Sequence, residues 1–512
     1  MLRVLSQPRR VCSGLTRREL LEIGGMSVAG LSLPHLLAAN SQAADLAASP
    51  ARQVGTQQGS IAGSFGRAKN CILLYLYGAP SQLETFDMKP DAPIEIRGTM
   101  NPIPSTLPGL QVCEHMPYIS QMADKLTVVR SVTHPYPVHG VAFATTGIPA
   151  IDVAMELAPH HPQHHPYFGS VVQFLDQQRA GAANGGPELN NVALPFQFSS
   201  QRTGEVFRAG PYAAFLGASY NPTWTEFKGQ ATRSVLKTLG ANKLDCHDPY
   251  VGCSADSHFQ LSSTSPMPEM TIDRLSKRQT LLEQFDTQRK AADAGVREKS
   301  LDRFQDLAFS LLTSPRVAQA LDVRKEPQNV RDNYGHTLFG QSCLAARRMV
   351  ESGTRMVSVF WDEYGLAGDA WDTHWNHYAR MTDQLLPGFD RALSGLVNDL
   401  DERGMLEDTL VVVLSDHGRT PKISAAQGGG RDHWSQVYSL AFAGGGMARG
   451  RVVGSSDATA ATPLDCPISP KDLLATMYHL LGINPHGTIP DQTGRRIPIV
   501  PDSARVVTEM LA

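Results

Sequence analysis

Residues 408–434 read DTLVVVLSDHGRTPKISAAQGGGRDHW. Leu410 to Leu414 form an unbroken apolar run, the pattern of a strand covered on both faces, as in parallel and mixed sheets with helices above and below. Asp416 and His417 stand directly at its end, and Asp432 and His433 follow a glycine-rich loop. Open α/β sheets bind ligands in the crevice at the carboxyl ends of their strands. Carboxylate and imidazole together supply the hard oxygen and borderline nitrogen donors that hold zinc or manganese. Singly, Asp416 reads as a turn cap and His417 as a satisfied core side chain. The second acid and His downstream favour a metal site.

The pattern extends on both sides. Leu338 to Glu351 reads as a helix stopped by Gly353, and Met356 to Trp361 as a buried strand leading into WDEYGLAGDAWDTHWNHY. Leu386, Phe389, Leu393, Leu396 and Leu400 step by three and four, so an amphipathic helix is expected, ending at Gly404 before the Leu410 strand. Helix, strand, helix, strand at this spacing means parallel crossover units. Asp372, His374 and His377 therefore follow one strand as Asp416 and His417 follow the next, which brings both groups to one sheet edge. A last helix runs from Pro470 to Leu481, with Ser469 as its cap.

Upstream, Cys71 to Tyr77 (CILLYLY) predicts a central parallel strand, followed by the loop GAPSQLETFDMKP, whose Ser81, Glu84, Thr85 and Asp87 occupy the first-strand site position. A further strand, Leu126 to Val132, ends in a second polar loop with Thr133, His134, Pro137 and His139. His160, His161, His164 and His165 are interleaved with Pro162 and Pro166, which predicts an exposed irregular loop with a structural role. Residues 176–275 read as an irregular insertion covering the site. Helix is expected again from Arg274 to Leu312, and Ser314-Pro315 starts another.

Composition excludes some classes. Of 512 residues, 42% are hydrophobic and 19% charged, as in a globular chain, and the net charge is −3. Residues 1–44 carry five Arg and two Glu, so the remainder stands at −6 and has no basic footprint for nucleic acid. Thr16-Arg17-Arg18-Glu19-Leu20-Leu21 precedes a mildly apolar, Gly- and Ala-rich run from Ile23 to Ala39, with Ala43 and Ala44 after it. This is the twin-arginine export pattern, an address read by a translocase. The expected layout is a signal at 1–44, a polar linker at 45–68 and an α/β domain at 69–505. The mature chain is expected in the periplasm or secreted, with no spanning helix. Of seven cysteines, Cys246 and Cys253 bracket a short polar loop and are the pair expected to be bridged in an oxidising compartment.

The blocks GAPSQLETFDMKP, ARRMVESGTRMVSVF, WDTH, RGMLEDTLVVVLSDHGRTP, GRDHW, FAGGGMARGRVVGSSD and DLLATMYHLLGINP, behind a twin-arginine signal, resemble a bacterial family of exported, sulfatase-like proteins catalogued as a domain of unknown function. That family lies within the alkaline phosphatase superfamily. The resemblance implies a large, mostly parallel sheet flanked by helices on both faces. It also implies divalent ions at the sheet edge, zinc or manganese ahead of calcium, and hydrolysis of phosphate or sulfate esters of a small molecule or glycan. By motif, Asp416 and His417 would serve one ion, with Asp372 and His433 serving its neighbour. The first strand ends in Gly78-Ala79-Pro80 where the superfamily usually places a metal-binding acid, so Glu84 or Asp87 would have to substitute. Four residues after Asp372 lies Asn376, so His374 or His377 would replace the usual His. No C-x-P-x-R loop precedes Thr146-Gly147, which argues against a formylglycine sulfatase. Ser81, Thr85 and Thr133 are then the hydroxyl candidates for nucleophile, unless water activated by an ion attacks directly. A non-catalytic binding or structural protein on the same fold is the alternative.

Overall fold

The computed structural model describes residues 63–148, 153–159, 161, 163–180, 189–203, 208–239, 242–261 and 315–512. The export signal, most of the linker, His160, the Arg274–Leu312 segment and the Ser314 cap lie outside the described residues.

Nine strands form the main sheet: β1 (Asn70–Leu76), β2 (Leu126–Val132), β3 (Asn191–Leu194), β4 (Thr223–Lys228), β5 (His258–Leu261), β6 (Met356–Trp361), β7 (Thr409–Ser415), β8 (Tyr438–Ala443) and β9 (Arg451–Val453). Their order is β9-β2-β8-β7-β1-β6-β3-β4-β5. β6 and β7 flank β1 in parallel, with Leu76 opposite Trp361 on one side and Ser415 on the other. Only β8 and β5 pair antiparallel to their neighbours. The three central strands therefore end level with one another, and the loops leaving them share one edge.

Helices cover both faces of the sheet. On one face, Trp361 meets Phe339 of α2 (Leu338–Glu351) at a ring separation of 4.9 Å. The same indole lies against Gly388 of α3 (Leu386–Glu402), where an added Cβ would come within 2.8 Å of it. On the other face, Ser358 bonds to the hydroxyl of Tyr167, next to α1 (Phe168–Ala180), and Phe168 packs on Tyr478 of α4 (Pro470–Leu480). Residues 358 and 361 point to opposite faces because strand side chains alternate. This double cover explains why β1, β6 and β7 carry no polar alternation. Each large aliphatic side chain so buried contributes on the order of 1.5–3 kcal/mol.

Helix ends follow local chemistry. Thr337 caps α2 by accepting the Gly340 N–H at 3.1 Å, and Ser469 with Asp472 forms a capping box on α4.

The stretch 176–275 departs from the expectation of an irregular insertion, since it supplies β3, β4 and β5 to the main sheet. These strands are four to six residues long and sit among Gly, Pro and Ser, too short for a period-2 pattern to stand out. The fold also runs past residue 505, with Met510 and Leu511 buried. Cys246 and Cys253 are free thiols: Cys246 lies on a hairpin strand, and Cys253 is buried, its backbone paired antiparallel with Ala231. His164 is buried, its Nε2 at 3.0 Å from the carbonyls of Met155 and Ala158, and so anchors a loop that was expected to be exposed. No helix among the described residues is long and apolar enough to cross a membrane.

Candidate metal centre

Asp416 leaves β7 beside the end of β1 and is buried. Its Oδ1 accepts from the Tyr75 hydroxyl at 2.5 Å, and its Oδ2 faces Nδ1 of His139 at 2.8 Å and the Gly78 N–H at 3.4 Å. His134, also in the loop after β2, reaches the Asp416 carbonyl through Nε2 at 2.9 Å. With both carboxylate oxygens engaged, Asp416 stands behind His139 and orients its ring. Carboxylates commonly hold ligating imidazoles in this way.

Three imidazoles converge in front of it. His139, His417 and His433 each bring one ring nitrogen into a group whose members lie within 4.8 Å of one another. A second group at the same spacing, Asp372, His374 and His433, shares His433 with the first. His417 Nδ1 lies 2.7 Å from the Gly418 carbonyl and His433 Nδ1 lies 3.2 Å from the Pro137 carbonyl. A carbonyl can only accept, so Nδ1 carries the proton in both rings and Nε2 presents a lone pair. The Nε2 atoms of His139, His417 and His433 are all buried and none has a well-formed hydrogen bond, Asp372 lying 3.3 Å from the first and 3.4 Å from the third. Buried polar atoms are almost always satisfied, so three poorly satisfied nitrogens grouped together mark the place of a missing partner.

Asp372 connects the two groups. Its Oδ1 lies 2.5 Å from an Arg419 guanidinium nitrogen and 3.1 Å from His374 Nε2, and its Oδ2 lies 3.3 Å from His139 Nε2. Arg419, fully buried, also donates to the carbonyls of Gly78, Ala79 and Arg431, tying the exit of β1 to the Asp372 loop. Outward, His374 Nδ1 pairs with Asp432 at 2.6 Å. The His374 and His433 side chains are 21% and 25% exposed, so the centre is open to solvent from that side.

The electrostatics suit a cation. Burial alone would raise the Asp372 carboxyl, but Arg419 and His139 outweigh it and hold Asp372 well below the usual carboxylate range. Burial, followed by the charges of His139 and His433, pushes His417 well below its ordinary value, and burial lowers His433 as well. Both therefore stay neutral, as metal ligation requires. Burial would also lower His139, yet Asp372 and Asp416 raise it to about 9. A positive charge is thus favoured at this point even without a metal.

The structure does not bring the first-strand acids into this group. Glu84 is buried with Arg431, whose Nε lies 3.0 Å from Glu84 Oε1, and His377 Nε2 stands 3.5 Å from Oε2. His377 in turn bonds Thr373 at 2.8 Å and so is also apart from the imidazole cluster. Burial would raise Glu84, but Arg431 and then His377 overcome it and lower the group to about 2. Asp87 is paired with Lys89 at 2.9 Å and with the Ser456 hydroxyl. Thr85 donates its hydroxyl to the Ser81 carbonyl at 2.8 Å, while the buried Ser81 Oγ has no hydrogen-bond partner. His139, Tyr75 and Arg419 were not among the expected site residues. For His139 a signal existed, since it too follows the carboxyl end of a strand, β2.

No curated protein matches the chain. Among solved structures it is similar to the PsFucS1 sulfatase from Pseudoalteromonas sp., at 13% identity over 84% of this chain and 72% of that one, with a TM-score of 0.37. It is also similar to the lipoteichoic acid synthase LtaP from Listeria monocytogenes, at 11% identity over 86% and 76%, with a TM-score of 0.34. A third likeness is to Ps i-CgsB in complex with k-i-k-neocarrahexaose, at 12% identity over 81% and 72%, with a TM-score of 0.35. A family model described as "Protein of unknown function (DUF1501)" matches residues 68–511, nearly the whole of the described chain, and the protein belongs to that family.

Proposed function

We propose that this protein is a metal-dependent hydrolase of phosphate or sulfate esters, acting outside the cytoplasm on a small-molecule or glycan ester. The observation that carries the reading is the convergence of the His139, His417 and His433 Nε2 atoms, buried and without well-formed hydrogen bonds, beside Asp372 and His374. Four imidazoles and a carboxylate suit zinc or manganese better than calcium, which prefers an all-oxygen shell. When bound, such an ion polarises an ester oxygen and acidifies water. The chain's own residues do the rest. Asp416 orients His139, the Gly418 and Pro137 carbonyls fix the tautomers of His417 and His433, and Arg419 holds Asp372. His139 faces Asp416 through Nδ1 and Asp372 through Nε2, so a cation held at Nε2 would take the place of the Nε2 proton alone and leave the Nδ1–H on Asp416. For a covalent route Ser81 is a better nucleophile than Thr85, because its Oγ is uncommitted whereas the Thr85 hydroxyl is engaged.

One observation favours a non-catalytic binding protein instead: the Arg419 guanidinium already satisfies one oxygen of Asp372. Metal analysis of the purified mature protein, with a panel of aryl phosphate, phosphodiester and aryl sulfate substrates, separates the two readings. A stoichiometric divalent ion and turnover of at least one ester are expected. His417→Ala and Asp416→Ala should each lower metal affinity and turnover by about 100-fold. Loss of turnover in Ser81→Ala identifies the covalent route. A protein without stoichiometric metal, or one in which His417→Ala cleaves esters as well as the parent, overturns the hydrolase reading.

A further inference from the structure

Asp372 and His374 lie on a long loop, residues 362–376, that has no helix or main-sheet strand of its own. Such a loop holds ligands in place only if something outside it does the holding. Two of its non-glycine residues, Ala370 and Asn376, adopt positive φ, +55° and +50°. Strain of this kind costs on the order of 1–3 kcal/mol per residue and persists only where the surroundings over-determine the backbone. The two positions bracket the metal-binding pair.

The restraint comes from a hairpin outside the main sheet, Ser234–Leu239 paired with Asn242–His247. Lys237, 5% exposed, sends its ammonium from this hairpin to Asp248 Oδ2 at 2.7 Å, to the Tyr364 carbonyl at 2.7 Å and to the Asp369 carboxylate. All three of its donors are used, two of them on the metal-binding loop. From Asp369 the contacts continue inward. Its Oδ1 lies 3.3 Å from Arg380, and Arg380 donates to the carbonyls of Ala370 and Asp372, the latter at 2.9 Å. The next hairpin residue, Thr238, accepts from the Asn376 side chain. Both strained residues are thus gripped, Asn376 directly and Ala370 through Arg380.

We propose that Lys237 is a positioning residue for the metal centre, holding Asp372 and His374 through Asp369 and Arg380, with Thr238 securing the far end of the loop at Asn376. The proposal rests on the metal reading above. A lysine here acts as a clamp: without its charge, Asp248 is left buried and uncompensated and Asp369 keeps only Arg380, so the loop is released from the outside inward.

The test uses the full mature protein loaded with Co(II), whose visible absorption reports ligand geometry and whose affinity is measured by chelator competition. Lys237→Met is expected to stay folded by thermal melt, to bind Co(II) about tenfold more weakly and to change the absorption band. Lys237→Arg, which keeps charge and reach, should restore most of both. If Lys237→Met does not fold, Thr238→Val, at a half-buried position, is measured by the same two readouts and should weaken binding in the same direction. A parent that takes up no Co(II) overturns the metal reading and the clamp with it. A parent that binds Co(II), alongside a folded variant with affinity within about twofold and an unchanged band, overturns the clamp alone.

Discussion

Gly78 explains why β1 does not end in an acid. It leaves the strand at φ +95°, and a Cβ built on it would lie 2.4 Å from the Asp372 backbone nitrogen and 2.9 Å from the Trp371 carbonyl carbon. A side chain at this position would occupy the space of the Asp372 loop itself. Gly78→Ala therefore carries two costs. A left-handed backbone is worth about 1–2 kcal/mol against a non-glycine residue. The obstruction is main chain, which cannot rotate aside, and overpacking of this kind adds about 1–3 kcal/mol. Together they predict destabilisation of about 2–5 kcal/mol. Relieving a 2.4 Å contact also moves Asp372 by about 1 Å, more than the roughly 0.5 Å a ligand set tolerates. Urea unfolding and metal stoichiometry measure the two effects. Gly404→Ala is the control: its φ is also positive, +68°, but its Cβ would meet nothing within 4 Å, so only the backbone cost of about 1 kcal/mol applies, with metal content unchanged. If Gly78→Ala is within about 0.5 kcal/mol of its parent and retains full metal, the close approach of β1 to Asp372 is not what sets the site.

Two further outcomes follow from the same geometry and from the N-terminus. Glu84 falls from an ordinary 4.5 to about 2, so its contribution, about 3 kcal/mol at neutral pH, is present above pH 4.5 and is lost as pH falls from there towards 2. Glu84→Gln should be less stable than the parent by that order at pH 7 in denaturant titrations, and the gap should close on acidification; a gap independent of pH would contradict the Glu84–Arg431 pairing as its source. Replacing Arg17 and Arg18 together by Lys should leave folded precursor in the cytoplasm, as read by fractionation, and unchanged export would remove the twin-arginine assignment.

The three strands at the middle of the sheet were legible because helices bury them on both sides, so their runs are apolar apart from Ser358: Cys71 to Leu76, Met356 to Trp361 and Leu410 to Leu414 are all 3% exposed or less. β8, with two alanines as well as Ser439 and no β-branched residue, and the short β3 to β5 carried no comparable signal. Asp372, His374, His417 and His433 were legible because the end of a strand is visible in sequence and the loop after it is where chemistry collects. The same argument applied to β2 points to His139, whose flanking prolines made it look like loop.

What sequence could not reveal is which carboxylates are already spoken for. Glu84, Asp87 and Asp372 are alike as ligand candidates, and all three are buried acids on loops at the sheet edge. Their partners separate them, and those partners come from far along the chain: Arg431 for Glu84, Ser456 together with nearby Lys89 for Asp87, and Arg419 for Asp372. A carboxylate enclosed by a guanidinium has its charge compensated and leaves little for an ion. Asp372 differs in that Arg419 meets only its Oδ1, which also lies 3.1 Å from His374 Nε2 and 3.4 Å from His433 Nε2, while Oδ2 faces His139 Nε2 at 3.3 Å. One oxygen is anchored by Arg419 and both face imidazoles of the cluster, so Arg419 serves to aim Asp372 at the centre. On that account Arg419 is as necessary to the site as the residues it leaves free to bind.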